Sequence, residues 1–132
     1  MVLVDTNVLV DVVERDPLWF SWSISQLRNL SMTQPLAINA IIYAELAATY
    51  SSSAILDQKI ATMNLVFKDI PHQAAFLAGK ACVLNRRQHG TKSDVLSDFF
   101  IWAHAEALGC PLLTRDTRSY TRYFPMARLI AP

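Results

Sequence analysis

Val2-Leu3-Val4-Asp5-Thr6-Asn7 is the stretch on which the fold turns. Three apolar residues, two of them β-branched, read as a short buried strand, and the run stops on a carboxylate. The same pattern returns near the other end, where Leu112-Leu113-Thr114 runs into Arg115-Asp116. Ligands of open α/β sheets bind outside the carboxyl ends of the strands. If both runs are parallel strands, Asp5 and Asp116 share that edge.

Working outward, Thr6-Asn7 offers capping chemistry for a helix over Val8–Val13. Pro17 opens a second helical stretch to Leu30, with Trp19, Phe20 and Trp22 crowded at its start. Leu36-Ala37-Ile38 reads as a strand, with Asn39 as N-cap for a helix over Ala40–Tyr50. Ser51–Ser53 precedes a helix over Ala54–Asn64, and Leu65-Val66-Phe67 is a third strand. Pro71 suits the first turn of a helix to Gln88, stopped by Gly90. Gly79, inside that helix, is expected at a close helix contact. Asp94–Leu108 is helical and ends in Gly109-Cys110-Pro111; a short helix over Arg118–Tyr123 and a strand at Arg128–Ile130 follow. Strands alternating with helices predict an α/β fold around a mostly parallel sheet.

Size and composition narrow the class. The chain has 132 residues, expected as one domain over 1–132, and 52% are hydrophobic against 17% charged, so it is globular. The apolar runs are too short for a membrane span, and no secretory signal precedes Asp5, so a cytoplasmic location is expected. Cys82 and Cys110 fit no metal or redox spacing and read as buried thiols. The net charge of +1 is uneven: residues 1–50 hold two basic side chains against five acids, residues 51–132 ten against six. A basic half beside an acidic site suits an enzyme that cleaves a polyanion, and it equally suits an ordinary solvated surface.

Two more acids stand alone in apolar helical segments, Glu45 in Ala40–Ala48 and Asp98 in Val95–Ala103. Helices apolar nearly all round are buried ones, so these acids should face the interior or a cleft. Asp94 shares a helix face with Asp98, but at a helix start a capping or dipole role explains it as well. Asp5 has an N-cap reading too, and Glu45 one as the partner of a buried arginine. Two unit charges ~4 Å apart at an effective dielectric of ~20 interact by ~4 kcal/mol. Four converging carboxylates would strain a domain stable by only about 5–15 kcal/mol unless cations offset them. Hard divalent ions with oxygen ligands do so, and their natural chemistry is phosphodiester hydrolysis.

Asp5-Thr6-Asn7, Glu45, the segment Asp98-Phe99-Phe100-Ile101-Trp102-Ala103-His104-Ala105 and Leu113-Thr114-Arg115-Asp116 resemble the acidic motifs of PIN-domain nucleases, above all VapC-type ribonuclease toxins of toxin–antitoxin pairs. The resemblance spans essentially the whole chain, with the motifs in family order. It implies a three-layer α/β/α fold on about five mostly parallel strands. It also implies Mg²⁺, with Mn²⁺ as a substitute, bound by Asp5, Glu45, Asp98 and Asp116, with Asn7 and Thr114 as supporting or substrate-contacting groups. Asp94 joins them as a candidate supporting group. An RNA substrate, inhibition by a cognate antitoxin and a homodimer are implied in the same way. Trp102 departs from the small residue usual in the family and puts local helix packing in question.

Other residues carry less. His104, six residues beyond Asp98, faces away from it on a helix, and no histidine is expected to be catalytic. Trp19, Phe20 and Trp22 are core, a patch covered by a partner or, less in keeping with a site on the sheet edge, a stacking surface for RNA. A phosphatase with Asp5 as nucleophile wants a second aspartate where Asn7 stands. The remaining alternative is a PIN-like domain that acts mainly by binding protein partners.

Overall fold

The computed structural model describes residues 1–90, 95–117 and 119–132. Its five strands are β1 (Val2–Val4), β2 (Leu36–Ile38), β3 (Leu65–Phe67), β4 (Leu112–Leu113) and β5 (Leu129–Ile130). They form one parallel sheet in the order β3-β2-β1-β4-β5. Six α-helices connect them: α1 (Thr6–Val13), α2 (Phe20–Ser31), α3 (Ala40–Ala47), α4 (Ser53–Thr62), α5 (His72–His89) and α6 (Leu96–Leu108). A 3-10 turn spans Ser119–Arg122. Successive strand residues point to opposite faces, yet every residue of β1, β2 and β4 is buried. Helices therefore cover both faces, giving the expected α/β/α layers. Among the described residues, no helix is long and apolar enough to cross a membrane.

Chain reversals follow local chemistry. Asn39 accepts a hydrogen bond from the Ile42 N–H at 3.0 Å, and Ser52 accepts from the Ile55 N–H at 3.3 Å, so α3 and α4 start where their caps predict. Gly109, at φ 63°, holds the left-handed cap that ends α6 and turns the chain into β4.

Several boundaries differ from expectation. The second helix begins at Phe20, not Pro17, because Asp16 Oδ1 accepts from the N–H groups of both Leu18 and Trp19 at 2.9 Å and holds the chain in a turn. In the helix bearing Asp98, Val95 is the N-cap, which places Asp98 in the first turn rather than a full turn in. Asp94 and Arg118 lie outside the described residues, so the capping and supporting roles expected of Asp94 do too. α3 buries only one side, at Ile42 and Leu46, while Ala44 and Ala47 are exposed. Gly79 is exposed with open space about it; buried Ala74, Ala78, Ala81 and Cys82 form the inward face of α5. Trp102 does not disturb α6. It is fully buried, edge-on to Tyr120 at 5.5 Å and beside Phe124 at 6.4 Å.

Candidate functional site

The carboxyl edge of β1 and β4 gathers the expected polar groups. Asp5 follows β1 and is 6% exposed. Its Oδ2 accepts from the Thr114 hydroxyl at 2.8 Å and from Asn7 Nδ2 at 3.3 Å. Thr114, fully buried just beyond β4, also accepts from Asn7 Nδ2 at 3.2 Å and from the Asp116 N–H at 3.0 Å. Parallel pairing of Val4 with Leu113 brings these residues together across the whole sequence. Thr6 and Asn7 were expected to cap α1, but both lie inside its first turn. Thr6 Oγ1 donates to Glu45 Oε1 at 2.7 Å, and Asp5 takes the N-cap position without a side-chain capping bond.

Charge accumulates around Asp5. Burial pushes its carboxyl up to about 6; the Thr114 hydrogen bond opposes this, and the Asp98 and Glu45 charges add to it. Asp98 accepts from the Tyr120 hydroxyl at 2.8 Å and sits in the first turn of α6, where the helix dipole favours an acid. Glu45, half-buried on α3, reaches the edge through Thr6. Asp116 lines a cleft of about 420 Å³ with Asn7, Arg115 and Thr117.

The donors suit a hard divalent ion: carboxylate oxygens throughout, with a buried aspartate whose ionisation its neighbours oppose. Among the described residues, no three His, Cys, Asp or Glu side chains stand close enough together to hold one ion as they are. Thr6 and Tyr120 hold Glu45 and Asp98 in hydrogen bonds of their own.

The sequence carried no sign of the Thr6–Glu45 bond, the Tyr120–Asp98 bond or the pairing of Arg115 with Asp11. Asp11 was legible: it is a lone acid in Val8-Leu9-Val10-Asp11-Val12-Val13, the signal that singled out Glu45 and Asp98. Tyr120 carries no such mark. His104 is buried with Nδ1 3.0 Å from Asn39 Nδ2, and burial lowers its pKa. Burial raises the pKa of both Cys82 and Cys110, which are free thiols. Trp19, Phe20 and Trp22 are each half-buried, so they are neither full core nor a free patch.

A model of the PIN domain matches residues 2–124. No curated protein matches the chain in sequence. Several solved structures do match in shape. One from the complex VapBC2 of Rickettsia felis, bound to a DNA fragment from its promoter, superposes with a TM-score of 0.73 at 20% identity, covering 99% of this chain and 98% of that one. VapBC-1 from nontypeable Haemophilus influenzae gives 0.72 at 18% identity, with the same coverage. A toxin–antitoxin complex from Klebsiella pneumoniae gives 0.62 at 23% identity, covering 98% and 96%. Identities this low speak for the fold alone.

Proposed function

The chain belongs to the PIN-domain family, and from that premise we propose that it is a metal-dependent endoribonuclease, the toxin of a toxin–antitoxin pair. The observation that carries this reading is the buried Asp5 carboxyl, held by Thr114 and Asn7 and pressed upward by the charges of Asp98 and Glu45. A fold keeps so costly an arrangement for chemistry rather than stability.

Asp5, Glu45, Asp98 and Asp116 would hold Mg²⁺ or Mn²⁺ through carboxylate oxygens. Such an ion, when bound, supplies an activated water and charge stabilisation for a transferring phosphate. The chain's own groups do the positioning. Thr114 and Asn7 fix the Asp5 carboxylate, Thr6 orients Glu45, and Tyr120 orients Asp98. The ten basic residues beyond residue 50 fit a polyanionic strand. RNA as that strand, a cognate antitoxin as partner, a homodimer and a cytoplasmic setting all follow from the likeness to VapC-type toxins. The neighbours taken from VapBC and toxin–antitoxin complexes support the partner.

The alternative is a PIN-like domain that acts mainly by binding protein partners. RNA cleavage in Mg²⁺ or Mn²⁺, with EDTA as control, separates the two. Asp5→Asn and Asp98→Asn should each abolish cleavage and leave the fold intact. Activity near wild type in either variant would overturn the four-acid site, and an inert wild type would favour the alternative.

A further inference from the structure

Arg115 lies between two residues of the candidate site, yet its own role is unassigned. Its backbone N–H donates to Asn7 Oδ1 at 3.1 Å, the same asparagine whose amide nitrogen contacts Asp5. Its Nε donates to Asp11 Oδ2 at 2.7 Å; the arginine side chain is 29% exposed and the aspartate 1%. Asp11 also accepts from the Ser23 hydroxyl at 2.7 Å. The guanidinium sits over the Trp19 ring, 5.4 Å from its centroid. Backbone, Nε and planar face are thus all fixed. Among the described residues, the two terminal guanidinium nitrogens have no protein partner. They belong to a side chain that lines the cleft with Asn7, Asp116 and Thr117.

A surface arginine loses rotamer freedom when it grips a ligand, whereas this one has lost most of it already. The buried Asp11 carboxylate holds the guanidinium from behind. A salt bridge serving only to tie α1 to the segment after β4 would not need the terminal nitrogens at a polar cleft. Two N–H donors in a fixed fork match the oxygens of a phosphodiester better than any neutral or cationic group. We infer that Arg115 is a binding residue for a backbone phosphate of the substrate strand, adjacent to the acids, and that Asp11 and Trp19 are positioning residues that hold it ready. This rests on the nuclease reading above.

The test is steady-state cleavage of a 5′-labelled single-stranded RNA of mixed sequence in Mn²⁺, by wild type, Arg115→Lys and Arg115→Gln. Arg115→Gln should raise KM about tenfold, as expected when a charge-assisted pair of hydrogen bonds is lost, and leave kcat within about threefold. The dependence of log KM on log salt should flatten by ~0.7, the share of one phosphate on a single strand. Arg115→Lys, which keeps charge but not the fork, should fall between. Because Arg115→Gln leaves Asp11 buried without its cation, the double variant Asp11→Asn with Arg115→Gln removes both charges and should show the same rise in KM in a folded protein. An unchanged KM and salt slope in the folded variants, beside an active wild type, overturns the inference but not the nuclease reading. A loss confined to kcat overturns it as well. A wild type inert on RNA takes down both.

Discussion

Thr114 donates its hydroxyl to Asp5 at 2.8 Å across 109 positions of sequence. The same oxygen accepts from the Asp116 N–H and from Asn7, so one hydroxyl joins both strand ends of the site. It stabilises the charged form of a carboxyl that burial and its neighbours push toward the neutral one.

Thr114→Val keeps the shape and removes that donor. The Asp5 carboxyl should then titrate above its wild-type value of about 6. Carboxyl carbon NMR in EDTA measures this directly. An unshifted titration would mean that the hydroxyl does not govern the ionisation of Asp5.

Asp5 also makes the metal-free protein less stable as pH rises. Its folded value, about 6, lies above the ordinary 3.8, so the folded state binds more protons between these limits. The contribution is fully present below pH 3.8 and is lost as pH rises through about 6. The difference corresponds to at most about 3 kcal/mol. Asp5→Asn cannot ionise and should be more stable than wild type at pH 7 in EDTA, with the advantage shrinking toward pH 4. Denaturant titrations at the two pH values check it; equal differences at both would refute it.

Millimolar Mn²⁺ should raise Tm at pH 7 by binding the folded state, and by less at pH 5, where protons compete for Asp5. The shift should collapse in Asp98→Asn and persist in Asp69→Asn, whose side chain is exposed. Equal losses in both variants would show that the ion acts nonspecifically.

Tyr120→Phe removes the hydroxyl that holds Asp98 but keeps the ring against Phe99 and Trp102. Its Tm in EDTA should stay within a few degrees of wild type. Mn²⁺ affinity, read by calorimetric titration, should fall by roughly tenfold or more, as when other partners of metal-bound carboxylates are removed. Unchanged affinity would show that Asp98 needs no such support.

The strands were legible because each is a short apolar run bounded by polar or turn residues, and Asn39, Ser52, Gly90 and Gly109 announced their turns. The start of α2 was misplaced because an aspartate side chain one residue before a proline captured two backbone donors, a competition that periodicity does not register. The acids stood out against their apolar neighbours. Their orientation did not, since it depends on hydroxyls far off in sequence: Thr6 for Glu45, Thr114 for Asp5, Tyr120 for Asp98. Asp11 bears the same mark as Glu45 and Asp98, a lone acid in an apolar helix, but the arginine that it pairs with lies 104 positions away.

The register of the central strand bears on how the molecule is made. β1 pairs with β2 through Val2 and Leu36, but its other neighbour, β4, is made long after it. Until β4 docks, β1 has one open edge, a state prone to mispairing and to capture by chaperones. Asp5 meanwhile lacks the hydroxyl of Thr114, and Asp116 does not yet exist. Until β4 has been made and has paired with β1, the chain is therefore without the complete set of groups proposed to cut RNA.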